Sequence, residues 1–446
     1  MATSLRFLLL LAGLAQGHSN LGHQALCGPG PSLILSSSSP VCHVSQGYQS
    51  NVTDKDSISG SSQSQSETDW TGAREHTWTH TSPCFRMGLS EQEYCVFADV
   101  NFAGGRGISL VMESRRANFL ATTPAFVEPE INDGVNQDLV RTVRAKYEVK
   151  EIPGKGMGIV ATEHIRRGDL ILANTASLMI DYGAYSLGTD EYLELEARAV
   201  DYLPSAHRAA LLNLSSHDGT FATHAEHVDK VIRTNAFDIY PDDDEEGSEI
   251  LFVVFPEIAR MNHDCRPNAE YRFDRGTLAQ YITALRDIFP GEELTLTYID
   301  PEKPRAARMG KLEDNWGFKC TCSHCTMDRA RADESDARIA QIKKLWDSRD
   351  EAGRGSPEMA ELIISLYEQE RLWGKMPGAL VFAALEFNAA GDPWTAVKYA
   401  RRAIEVSIPI LGENSKEVRQ MKKLAEDPQS HWSWNISVRD KEEATA

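Results

Sequence analysis

Long apolar runs are missing from this 446-residue chain. Its one early run, Phe7 to Leu14, is too short to cross a bilayer, and no later stretch is long enough. Basic side chains are in deficit: 46 Lys and Arg stand against 65 Asp and Glu, a net charge of −19, with an acidic run at Asp242 to Glu246. That balance argues against direct nucleic-acid binding and suits a basic protein partner. No cysteine lies between Cys95 and Cys265, so the eight cysteines fall into two groups with different implications. A nucleotide-binding glycine loop is also lacking. "GKGMGIVA" formally fits the G-x-G-x-x-A dinucleotide fingerprint, but the β-formers Ile159, Val160 and Thr162 follow, where a helix must open. No Gly-Lys-Ser/Thr completes a Walker pattern either. What remains is a loop where absent side chains let a ligand approach the backbone.

The N-terminus carries Arg6, then the apolar run, then small residues at Ala15 and Gly17. This is the pattern of a secretory signal over residues 1–17. After such a signal, Cys27, Cys42, Cys84 and Cys95 suggest disulfides, with three pairings open. Sequons at Asn51, Asn213 and Asn435 are compatible with that route.

Composition divides the rest. Residues 18–138 hold a Ser/Gln-rich segment and then "EYCVFADVNFAGGRGISLVME", which predicts two strands around a Gly-Gly turn, braced if Cys84 pairs with Cys95. Residues 139–299 are strand-rich, interrupted by helical periodicity over about 189–238. A cysteine-bearing loop occupies 300–330. From 331 to 446 the pattern is helical, and the segment around Gly391-Asp392-Pro393 is similar to a helical-hairpin repeat of the TPR kind. The fold class implied is α+β, a mainly β core followed by an all-α region.

The later cysteines point to a metal. Cys320, Cys322 and Cys325 are spaced C-x-C-x-x-C, suited to wrapping one ion, and structural zinc takes four ligands. Cys265 is the leftover thiol in this half of the chain, and His324 competes for the fourth position.

Taken in order, "GKGMG", "NHDCRPNA" (Asn262 to Ala269), "GEELTLTY" (Gly291 to Tyr298) and "FKCTCSHC" (Phe318 to Cys325) resemble the SET and post-SET parts of protein lysine methyltransferases. The helical insert and helical C-terminal region are similar to the SET-and-MYND class. The resemblance implies a zinc ion held by Cys265, Cys320, Cys322 and Cys325, pinning the loop against Asn262 and His263. It implies S-adenosylmethionine as cofactor. Lys155, Gly156, Met157 and Gly158 would meet its methionine end, Asn235, Asn262 and His263 its polar groups, and Trp316 and Phe318 its adenine. The substrate would be a lysine in a protein, histone or other, with Tyr298 as the catalytic residue at the inner end of the lysine channel. Departures are plain: no cysteine lies between Asp181 and Asp238, so the MYND finger is absent, and Asp264 stands where serine is commonest. The family implies nucleus or cytoplasm, against the secretory route implied by the N-terminus. The rival expectation is a non-catalytic, zinc-stabilised scaffold that binds a partner through its helices.

Overall fold

The computed structural model describes residues 78–88, 92–132, 134–136, 145–216, 219–240, 250–352 and 355–438. The signal pattern, Cys27, Cys42, Asn51 and the acidic run lie outside them.

Thirteen strands are described: β1 (Cys84–Arg86), β2 (Glu93–Asp99), β3 (Ile108–Glu113), β4 (Tyr147–Ile152), β5 (Gly156–Ala161) and β6 (Leu170–Thr175) come first. Then follow β7 (Leu178–Asp181), β8 (Phe237–Ile239), β9 (Leu251–Val254), β10 (Asn262–His263), β11 (Ala269–Asp274), β12 (Ala279–Ala284) and β13 (Glu293–Leu296). They form three sheets, ordered β1-β2-β3-β7-β9-β8, β10-β13-β5-β4 and β11-β12-β6. Three short helices, α1 (Phe102–Gly105), α2 (Ser114–Leu120) and α3 (Pro124–Val127), accompany β2 and β3.

β2 and β3 pair antiparallel across the Gly104-Gly105 turn, with Val96 opposite Val111. β3 then runs parallel to β7, with Leu110 opposite Met179, so the early hairpin is built into the six-stranded sheet. A disulfide joins Cys84 to Cys95 and ties β1 to β2. Alternation explains why this sheet is buried on both faces. Phe97, Leu110, Met112, Met179 and Val253 face the β core, while Tyr94, Val96, Val111, Ile180 and Val254 face a helical layer.

That layer is the insert: α4 (Thr189–Asp201), α5 (Ser205–Leu212) and α6 (His224–Asn235). Leu195, Ala199, Val228, Val231 and Ile232 recur at three- and four-residue spacing and bury one face against the sheet. Each fully buried large apolar side chain contributes about 1.5–3 kcal/mol.

α7 (Arg305–Trp316) leads to the cysteine loop, and then come α8 (Arg329–Ala352), α9 (Pro357–Glu370), α10 (Met376–Ala389), α11 (Pro393–Leu411) and α12 (Lys416–Glu426). These five helices share their own core, built on Ile363, Tyr367, Leu380, Ala383, Ala400 and Met421. At the α10–α11 turn, Asp392 accepts from the Thr395 backbone N–H at 3.1 Å and starts the new helix. None of the described helices is long and apolar enough to cross a membrane.

Candidate functional site

Gly317 adopts the left-handed conformation (φ 70°) that ends α7. The chain then turns tightly through the cysteine loop, where the Cys325 and Thr326 backbone N–H groups both donate to the Cys322 carbonyl. β10 delivers Cys265 to the same place. The four sulfurs of Cys265, Cys320, Cys322 and Cys325 lie within 4.8 Å of one another, and all four residues are buried. A zinc tetrahedron with bonds of about 2.3 Å separates its sulfurs by roughly 3.8 Å, so this donor set fits the ion by chemistry and size. His324 is outside the group. The thiols do not ionise evenly on their own. Hydrogen bonds from Cys320, Cys322 and Cys325, with burial added, push Cys265 far up, while Cys322, bonded by the Cys265, Cys320 and Cys325 sulfurs, is driven far down. A second buried charge attends the cluster. Arg308 is 1% exposed; burial disfavours its charge, but the sulfurs of Cys265, Cys325 and Cys322 more than compensate and raise its pKa.

His263 links the cluster to Tyr298. Its Nδ1 accepts from the Tyr298 backbone N–H at 3.0 Å, which places the ring proton on Nε2, 3.3 Å from the Cys265 sulfur. Burial lowers its pKa to about 3, so it is neutral. Both ring nitrogens are thus engaged inside the protein.

The Tyr298 hydroxyl donates to the Met261 carbonyl at 2.7 Å. Burial, reinforced by the nearby Glu293 charge, raises its pKa and keeps the phenol protonated. Three rings surround it: His263 at 5.3 Å between centroids, Trp316 at 5.4 Å and Phe318 at 6.5 Å, the last edge-on. Trp316 is fixed in turn by its Nε1 donating to the Thr234 carbonyl at 3.2 Å. Next to Thr234, the Asn235 amide donates to the Ser215 and Val231 carbonyls, both at 2.7 Å.

The glycine loop meets β10 through a residue that motif reading passed over. Glu293 pairs with Lys155 at 2.6 Å and accepts from the Asn262 amide at 2.9 Å. Asn262 also donates to the Met157 carbonyl at 3.3 Å. Gly158 is where this packing demands glycine: a Cβ there would lie 2.6 Å from Ile152 and 2.7 Å from the Asn262 amide nitrogen. Gly156 takes φ +74° with open space beside it, which leaves backbone accessible at the loop's tip. The only sequence signal for Glu293 was its position in "GEEL", opposite the glycine strand once β13 pairs with β5.

The fold therefore gathers Tyr298, His263, Trp316 and Phe318 into one aromatic cluster against four thiols, with Lys155 and Asn262 joined by Glu293 and Gly158 packed tightly beside Asn262. The SET domain family matches residues 156–299, from the glycine loop to just past Tyr298. This chain carries a SET domain.

Its relatives include the histone-lysine N-methyltransferase set5 of Schizosaccharomyces pombe, 27% identical over 293 residues, covering 64% of this chain and 85% of that protein. The N-lysine methyltransferase SMYD2 of Gallus gallus is 39% identical over 116 residues, 26% of this chain and 24% of the relative. The human SMYD2 is 34% identical over 151 residues, 34% of this chain and 32% of the relative. The chain thus spans most of the yeast relative but a third or less of the SMYD2 proteins.

Proposed function

We propose that this protein transfers a methyl group from S-adenosylmethionine to the ε-amino group of a lysine in a protein substrate, with Tyr298 as its catalytic residue. The observation that carries the reading is the buried, protonated Tyr298 phenol, ringed by His263, Trp316 and Phe318 beside the SET-domain glycine loop. When bound, the cofactor supplies a sulfonium methyl open to direct displacement by a neutral amine.

The chain's residues meet the other needs of that step. Free lysine has a pKa of about 10.4, and an apolar, water-poor channel lowers it toward the neutral amine. The Tyr298 hydroxyl donates its hydrogen bond to the Met261 carbonyl, so its oxygen keeps lone pairs to accept from the amine N–H and aim the nitrogen. Alignment of this kind contributes roughly 7–11 kcal/mol in favourable cases. Trp316 and Phe318 exclude water and offer ring faces to a planar base. Lys155, Met157 and Gly158 present the loop, and Asn262 fixes it through the Met157 carbonyl. A zinc ion on Cys265, Cys320, Cys322 and Cys325 would hold the Phe318 loop against β10. The net charge of −19 favours a basic substrate, and the set5 name makes histones the first to try.

The test is transfer of label from S-adenosylmethionine to histones and to a mixed protein extract by the full chain, with Tyr298→Phe alongside. Label on lysine is expected, falling on the order of 100-fold in the variant. Cofactor binding and four-thiolate zinc with no label in any substrate would hand the protein to the scaffold reading.

A further inference from the structure

The helical region of residues 331–446 has its own core and an unusual attachment to the SET side. Arg266, the residue directly after Cys265, points away from the aromatic cluster toward the helices. Its Nη1 donates to the Cys265 carbonyl at 2.8 Å and to the Pro301 carbonyl at 3.1 Å. Its Nε donates to the Glu370 carbonyl at 2.5 Å, and its Nη2 to Glu370 Oε2 at 2.8 Å. Glu370, the last residue of α9, also accepts from the Ser335 hydroxyl and from Arg338 Nε on α8, each at 2.7 Å. The side chains of Arg266 and Glu370 are 3% and 1% exposed.

One rigid guanidinium fork therefore touches three things at once. They are the backbone of a metal-ligating residue, the segment three residues beyond Tyr298, and the junction of two helices over 100 positions away. A buried ion pair adds little net stability compared with apolar packing, so its use at this junction calls for another reason. What it does supply is direction: a planar fork with several fixed bonds tolerates one arrangement of its partners.

We propose that the Arg266–Glu370 pair couples the C-terminal helices to the metal loop, making the helical region a positioning part of the transfer site. The catalytic consequence rests on the methyl-transfer reading above; the effect on metal retention does not. Arg266 and Glu370 are positioning residues, acting through Cys265 and the chain that follows Tyr298. Loosening Glu370 frees the fork, the Cys265 carbonyl loses its donor, and the loop carrying Phe318 shifts relative to β10.

The experiment uses the full zinc-loaded chain as wild type, Glu370→Gln, Arg266→Lys and Arg338→Met. The first two weaken or lose the fork, whereas Arg338→Met removes a different partner of Glu370 and leaves the fork intact. Zinc release to a chromophoric chelator and the melting temperature are read for each, then KM for S-adenosylmethionine and kcat where label is transferred. Loss of a group that orients a metal ligand costs about 10- to 100-fold in metal affinity. Zinc release should therefore quicken at least tenfold in Glu370→Gln and Arg266→Lys and less than twofold in Arg338→Met, with KM rising and kcat little changed. The coupling is overturned if the first two release zinc like wild type. It is equally overturned if all three variants release it in proportion to their loss of melting temperature, the mark of general loosening. A wild type that transfers no label would defeat the methyl-transfer reading, while the zinc release rates would still decide the coupling.

Discussion

Among the described residues two glutamates are almost completely buried, and their surroundings drive them to different charge states, one ionised and one neutral. Glu370 lies between α8, α9 and Arg266, and Glu196 lies in the insert between α4 and α6. Burial works against the charge of Glu370, but hydrogen bonds from Arg266, Ser335 and Arg338 outweigh it and hold the carboxyl below its usual range. Glu196 receives only the Tyr185 hydroxyl at 2.7 Å, and its Oε2 has no hydrogen-bond partner among the described residues. Burial, with the Asp229 charge added, raises its pKa to about 8. An arginine is close by, yet Arg233 bonds Asp229 at 2.6 Å and lies over the Tyr185 and Tyr192 rings at 5.6 and 5.9 Å. Depth is common to both sites. What separates them is whether a guanidinium is committed to the carboxylate or to a neighbour.

The largest effect should come from breaking the well-paired site. Glu370→Leu leaves Arg266 charged and buried without its carboxylate, which costs about 3–5 kcal/mol. Replacing both partners, as Arg266→Met with Glu370→Leu, removes the stranded charge and should recover most of that loss. Urea denaturation of the two variants checks the pair. If the double variant is no more stable than the single one, the cost lies in packing and not in the uncompensated charge.

These contrasts were only partly readable from the chain. Cys320, Cys322 and Cys325 declare themselves by spacing, and Cys265 by being left over, because ligand spacing is a local property. The insert helices declare themselves by the three- and four-residue recurrence that ends in Val228, Val231 and Ile232. Arg266 and Glu370 could not be paired in advance. Nothing within either segment signals a partner over 100 residues away, and "NHDCRPNA" reads the same whichever way the arginine points. Glu293 was hidden for a related reason. It looks like one more acid of a strand until β13 is set beside β5, with Lys155 and Asn262 within reach. The pairing of the early hairpin with the rest of the sheet is equally silent, because a parallel neighbour, β7, leaves no mark on the sequence of β3.

A smaller effect tests the poorly paired site through pH. Below about pH 4.5, the ordinary value for Glu196, folded and unfolded chains both hold its proton. Between there and about 8 only the folded chain holds it, so this residue's contribution to stability falls as pH rises through that window. Glu196→Gln keeps the shape without the titration. It should flatten that part of the stability profile and leave the variant more stable than wild type at pH 8 by on the order of 1–3 kcal/mol. Parallel profiles for the two proteins from pH 5 to 8 would mean that Glu196 finds a cation in solution, and the contrast with Glu370 would collapse.

The finest test removes one hydrogen bond from the insert. Tyr185→Phe takes away the one hydrogen-bond donor that Glu196 has among the described residues, while keeping the ring that packs on Phe252 at 5.4 Å and under Arg233 at 5.6 Å. If Glu196 is neutral at pH 7, its own hydroxyl proton can turn toward other acceptors, and the loss is that of one neutral hydrogen bond, about 0.5–1.5 kcal/mol. If Glu196 is charged, the tyrosine is a donor to an anion and its removal costs more, about 1.5–3 kcal/mol. The same substitution thus gives a small penalty at pH 6 and a larger one at pH 9, where the carboxyl has lost its proton. Urea midpoints of Tyr185→Phe at the two pH values measure this directly. An equal penalty at both would show that protonation of Glu196 does not govern the pair, and the difference between the two buried glutamates would then rest on the arginines alone.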